Sequence, residues 1–123
     1  MSEPSDNELE ILKVFWRDGD RSAREVHDAL GVQGWAPSTT RTVLERMRAK
    51  GLLVRRSVHG VAVYTPAQSK VAVLSGLFRR LGALLDFDGA LPAAAFAGSQ
   101  LLDAADIAAL DAALKSTVPE SET

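Results

Sequence analysis

At Gly51 the hydrophobic period of this chain changes from 3.6 residues to 2, and that switch sharply limits the folds open to it. Upstream, three segments carry helical spacing and helix punctuation. Asp6 is placed to cap a first helix, along which Leu9, Leu12 and Phe15/Trp16 recur, and Asp18-Gly19-Asp20 ends it. Ser22-Ala23-Arg24-Glu25 is a capping box that opens a second helix with Val26 and Leu30 on its apolar side and Gly31 as its stop. After the connection Gly34-Trp35-Ala36-Pro37, Ser38 is expected to cap a third helix running to Lys50, with Gly51 closing it in the left-handed conformation. Downstream, Leu52 to Val58 and Val61 to Thr65 alternate with β-branched residues and join across His59-Gly60, so they predict a hairpin that Pro66 ends. Three helices and then a short basic hairpin is the order of a winged helix-turn-helix, in which the second and third helices read DNA and the hairpin is the wing.

From Ala67 the period returns to helical. Val71, Leu74, Leu77/Phe78, Leu81 and Leu84/Leu85 form one stripe, interrupted at Asp86-Phe87-Asp88-Gly89. An alanine-rich stretch from Leu91 to Gly98 leads to a last helix capped by Asp103, with Ile107, Leu110 and Leu114 on one face. These segments are too few for a sound core of their own, and an exposed apolar stripe of this extent marks an interface. Self-association through Val71–Leu85 and Ile107–Leu114 is favoured over packing back on the first three helices, because a reader of DNA half-sites gains from two-fold symmetry. The expected fold is mainly α with a small β-hairpin. It comprises a winged helix-turn-helix over residues 1–66, a helical dimerisation region over 67–116 and a flexible tail over 117–123.

Charge locates the working surface. The chain of 123 residues has a formal net charge of −2, yet residues 41–56 hold Arg41, Arg46, Arg48, Lys50, Arg55 and Arg56 against Glu45 alone, a local balance of +5. Charge by itself is equally consistent with a solvated helix face, so placement decides. On a helical wheel, Thr40, Val43, Leu44 and Met47 face the core, while Ser38, Arg41, Thr42, Glu45, Ala49 and Arg46 face outward. An arginine can bind guanine O6 and N7 together, and a threonine offers a hydroxyl and a methyl to thymine. Arg41 and Thr42 are therefore the expected base contacts. Ser38, Thr39, Arg46, Arg55, Arg56 and His59 are the expected backbone contacts, which position the protein without reading sequence. Arg48 lies farther round the wheel. Glu45 is expected to pair with Arg41 or Arg48 within the helix in preference to accepting from a cytosine amine. Trp16 is expected in the core and Trp35 under the start of the third helix, and Tyr64 is either a core or a phosphate-contacting residue.

These residues resemble a known family. Trp35-Ala36-Pro37-Ser38-Thr39-Thr40-Arg41-Thr42-Val43-Leu44-Glu45-Arg46-Met47 followed by Lys50-Gly51 is similar to the recognition-helix signature of the penicillinase-repressor (BlaI/MecI) family. Glu10-Ile11-Leu12 through Trp16, Glu25-Val26 and Val63-Tyr64-Thr65-Pro66 match it further. The likeness spans about residues 6 to 116 and is weaker beyond Pro66. It implies a homodimeric, cytoplasmic transcriptional repressor on near-palindromic operator DNA. It also implies release, in β-lactam-responsive members, by a membrane sensor protease that cuts the dimerisation region. Aligned on Leu102-Asp103, that cut falls at Ala95–Phe96, where Ala95 replaces the family's usual asparagine. Val61 stands where the family usually has arginine after the wing glycine.

Composition removes other classes. With no cysteine, the chain excludes disulfide scaffolds, thiol redox enzymes and the cysteine-cluster metal sensing of copper-responsive relatives. No apolar run approaches the roughly 20 residues of a membrane span, and the acidic start MSEPSDNELE lacks the basic n-region of a secretory signal. His27 and His59 sit on separate elements and are expected at the surface, without metal spacing, nucleophile elbow or glycine-rich phosphate loop nearby. No enzyme activity and no cofactor are expected. The competing function is a winged helix serving as a protein-interaction module without an operator.

Overall fold

In the computed structural model, residues 3–31, 34–87 and 92–115 are described. The chain divides into two compact units, Met1–Gln68 and Ser69–Thr123. The first is a winged helix-turn-helix. Helix α1 covers Asp6–Asp18, strand β1 Arg21–Ser22, α2 Ala23–Ala29, α3 Pro37–Ala49, and strands β2 and β3 Leu53–Val58 and Val61–Pro66.

Local chemistry sets most of these boundaries. Helix α1 is capped by Ser5, not Asp6. The Ser5 hydroxyl accepts from the Glu8 amide at 3.2 Å, and the Glu8 carboxylate accepts from the Ser5 amide at 2.9 Å, so Ser5 and Glu8 satisfy two free donors reciprocally. Ser22 and Glu25 form the same box at the head of α2, as expected. Helix α2 stops at Ala29, where the Leu30 amide donates to Val26 and His27. The cap of helix α3 lies two residues before the expected one. Ala36 is its N-cap and Pro37 its first helical residue, because proline's fixed φ is already helical and it has no amide to leave unsatisfied. Ser38 and Thr39 thus lie in the first turn. At the other end Gly51, at φ +85°, lets its own amide reach Arg48 and that of Leu52 reach Met47 at 3.0 and 2.9 Å, a Schellman closure that turns the chain into the wing.

The hairpin turns through His59 and Gly60, both at positive φ, the type I′ geometry whose twist suits two-residue loops. Register runs from Leu53↔Pro66 to Val58↔Val61. The short strand β1 adds to β3 through Arg21↔Tyr64 and Ser22↔Val63, giving the sheet order β1-β3-β2. This third strand was not expected. It is two residues long, and Ser22 also serves as the α2 cap, so no alternation could announce it. The core of the unit includes Ile11, Leu12, Val26, Leu44 and Met47, all 1% exposed or less. Trp16 is only half-buried, not a core residue as expected.

The second unit contains α4 (Lys70–Leu84), a 3-10 turn at Ala93–Phe96 and α5 (Ala104–Lys115). Ser69 caps α4, and Asp86 adopts φ +54° at its end, where the Phe87 amide reaches the Gly82 carbonyl at 2.8 Å. Asp103 caps α5 as expected, accepting from the Asp106 amide at 2.7 Å. Lys70 ties the two helices together by an ion pair to Asp106 and a hydrogen bond to the Leu101 carbonyl. The tail expected over residues 117–123, and Asp88 to Leu91, lie outside the described residues.

Candidate nucleic-acid interface

Helix α3 carries the surface. Thr40, Leu44 and Met47 are buried and Val43 half-buried, which points the opposite side of the helix outward. Arg41 and Thr42, the expected base contacts, are exposed there, as are Ser38, Thr39 and Arg46. One polar contact fixes the rotation of the helix. The Thr40 hydroxyl, fully buried, hydrogen-bonds His27 Nδ1 of α2 at 2.8 Å. His27 is therefore half-buried and joins the two helices, which corrects its expected place as a surface group.

The six cations of residues 41–56 are not equivalent. Arg48 and Arg55 both contact Glu45, at 3.0 and 2.9 Å. Lys50 reaches Glu8 at 2.7 Å, and Arg56 reaches Asp20 at 2.7 Å. Only Arg41 and Arg46 make no ion pair or hydrogen bond among the described residues. Both lie on the exposed side of α3, so they are the cations of this segment most available to an incoming anion. Arg55 and Arg56, expected on phosphates, reach outward from the wing but are each held by a carboxylate. His59 is exposed at the wing turn.

Glu45 is the centre of this network. It pairs with Arg48 within the helix, as expected, and not with Arg41. It also accepts from the Tyr64 hydroxyl and from Arg55 Nη1 on the wing, which the sequence pattern did not indicate. Tyr64 is 2% exposed, so it is a core residue whose hydroxyl anchors the carboxylate. The Tyr64 hydroxyl, opposed by partial burial and helped by Arg48 and Arg55, holds the Glu45 carboxyl below its ordinary range. Burial, then the Glu45 carboxylate, pushes the Tyr64 phenol up, so it stays protonated and donating. The Arg56 guanidinium, with Thr65, likewise holds Asp20 low.

One basic residue outside the charged segment joins the surface. Arg24 of α2, exposed and without a partner among the described residues, lines a groove of about 360 Å³ with Ala23, His27, Asp28, Pro37 and Arg41. Its signal in the sequence was masked because residues 1–40 hold four basic side chains against eight acidic ones. Only the helix-turn-helix fold sets it beside the start of α3.

The residues expected at a dimer interface separate into two groups. Leu74, Leu110 and Leu114 are buried in the single chain, and Val71, Leu77, Phe78 and Ile107 are half-buried. Leu81, Leu84 and Leu85 are 40%, 67% and 63% exposed. Ala95 and Phe96 lie in the 3-10 turn with exposed side chains, the Phe96 ring 4.6 Å from that of Phe78. Among the described residues no group of His, Cys, Asp and Glu is arranged to hold a metal ion, and no helix is long and apolar enough to cross a membrane.

A penicillinase repressor from Bacillus licheniformis is 40% identical over 63 residues, which cover 50% of this chain and 49% of that protein. The match thus spans about half the length of this curated relative. The model of the penicillinase repressor family matches far more, residues 4–116, through both the winged helix and the helices that follow. By that match the chain belongs to the penicillinase repressor family.

Proposed function

We propose that this protein is a sequence-specific DNA-binding transcriptional repressor that acts as a homodimer on a near-palindromic operator. The observation that carries the proposal is the pairing pattern on α3: in a segment of net charge +5, the two cations left without partners among the described residues stand on the exposed side of the helix that a winged helix presents to the major groove. Arg41 and Thr42 contact bases. Ser38, Thr39, Arg46 and Arg24 contact the backbone around the start and outer side of α3, and Arg55, Arg56 and His59 contact it from the wing. Exposed Leu81, Leu84 and Leu85 bind the second copy, which sets two recognition helices about one DNA turn apart. The protein works in the cytoplasm by binding and not by catalysis. Cleavage at Ala95–Phe96 by a membrane sensor protease is the release route the family resemblance suggests, and the exposure of both side chains supports access to that bond.

The test is to incubate the purified protein with fragmented DNA of its source genome at physiological salt and sequence what is retained. Recovery of a few fragments sharing a near-palindrome, bound in the 10⁻⁸ to 10⁻¹¹ M range typical of specific complexes, is expected. Random recovery with a Kd of about 10⁻⁴ to 10⁻⁶ M would overturn the proposal in favour of a protein-interaction module.

A further inference from the structure

We infer that Glu45 is a specificity-determining residue that competes with DNA phosphate for Arg55, keeping the wing's cation occupied until base contacts dock the recognition helix. This role rests on the DNA-binding function proposed above. Glu45 Oε1 takes Arg48 Nε and Nη2, both at 3.0 Å, and Oε2 takes Arg55 Nη1 at 2.9 Å while accepting from the Tyr64 hydroxyl. The three charged groups therefore present one net positive charge to DNA, where the two arginines alone would present two.

Two features separate this arrangement from an ordinary surface ion pair. The carboxylate is pinned by a buried phenol, so it does not swing away to solvent. It also links two elements that touch DNA separately, since Glu45 lies on α3 and Arg55 on β2, directly across the ladder from Tyr64. Arg56 is held in the same manner by Asp20, but both those side chains are more exposed, and Thr65, which also bonds the Asp20 carboxylate, is only half-buried.

On random sequence the recognition helix gains no base contacts, and a phosphate at loose distance does not displace a carboxylate already at 2.9 Å. On the operator, Arg41 and Thr42 draw α3 into the groove, the wing comes within bonding distance of the backbone, and Arg55 transfers from Glu45 to phosphate. Discrimination then arises from suppressed binding to the wrong sequence as well as from contacts to the right one.

The test is the salt dependence of binding to random and to operator duplex. Glu45→Gln frees Arg55 on any sequence, so the slope of log K against log salt on random duplex should steepen by about 0.9, the increment for one more neutralised phosphate. A fourfold rise in salt then weakens random binding by an extra factor of about 3.5, and the operator-to-random ratio at low salt falls about threefold. Tyr64→Phe, which retains the charges but releases the carboxylate from its pin, should steepen the slope by less than Glu45→Gln does. An unchanged slope in Glu45→Gln, or an equal steepening in Tyr64→Phe, overturns the inference. Should Glu45→Gln not fold, the wild-type protein decides. The ¹³C shift of the Glu45 carboxyl should stay constant with random duplex and move with operator; movement with both or with neither overturns the role. A wild-type protein that retains no shared sequence overturns the repressor function and this role together. Selective wild-type retention with any of the failures above overturns this role alone.

Discussion

Lys50→Met should weaken the winged-helix unit by about 2 kcal/mol near neutral pH, although it removes a residue at the very end of the recognition helix. The magnitude follows from what remains. The Lys50 ammonium lies 2.7 Å from Glu8 Oε1, with the Glu8 side chain 7% exposed and that of Lys50 30% exposed. Breaking a fully buried pair costs about 3–5 kcal/mol, because an uncompensated charge stays behind. Here Lys50 is partly solvated and Glu8 keeps the Ser5 amide at 2.9 Å, so the loss is nearer that of one charged hydrogen bond, about 1.5–3 kcal/mol. In a unit of this size that lowers Tm by about 8–16 °C. The pH signature is sharper than the magnitude. Burial pushes the Glu8 carboxyl up, but Lys50 and the Ser5 donors outweigh it and hold the group below its ordinary value of 4.5. A carboxyl with a depressed folded value stabilises fully above the unfolded pKa and loses that contribution as pH falls through the folded one. The gap between wild type and Lys50→Met should therefore be widest near pH 7 and close progressively below about pH 4.5. Urea unfolding followed by tryptophan fluorescence reads this directly, since Trp16 and Trp35 are the only tryptophans and both lie in this unit. A gap under about 0.5 kcal/mol near neutrality, the worth of an exposed pair, would refute the reasoning. So would a gap that is undiminished in acid.

Other expectations test other parts of the molecule. Gly51→Ala should cost about 1 kcal/mol in the same unfolding assay, because φ is +85° but nothing lies within 4 Å of an added Cβ, so the penalty is purely conformational. Arg24→Ala should flatten the salt slope by about 0.9 on both operator and random duplex while leaving sequence preference intact; a change in preference would make Arg24 a base reader. Leu84→Asp with Leu85→Asp should shift sedimentation toward the monomer without lowering helicity, and a dimer unchanged by both would place the interface elsewhere.

What the sequence disclosed, and what it hid, follows the range of the interactions. The Ser22–Glu25 box, the Asp103 cap, the Gly51 closure and the His59-Gly60 turn all act over two to five residues, and each was legible. The Ser5 cap acts over the same range, but Asp6 beside it offered an equally good cap by residue type, and only backbone conformation separates them. The rotation of α3 was legible from its apolar residues. The partner that fixes it was not, since His27 and Thr40 lie 13 positions apart. Charge shows the boundary most clearly. A sum over residues 41–56 counts every cation as free, whereas folding gives Lys50 and Arg56 to carboxylates 42 and 36 positions upstream and leaves Arg48 and Arg55 sharing Glu45. The acidic excess of residues 1–40 is thus partly the counter-charge of the basic segment, and the two halves of that arithmetic describe the same ion pairs. Arg41 and Arg46 escape this cancellation because the turns next to theirs on the outer side of α3 carry no carboxylate except Glu45, which is already committed to Arg48, Arg55 and Tyr64. The Glu45 network that occupies Arg55 on the wing is therefore the same one that leaves Arg41 and Arg46 unpaired on α3 among the described residues.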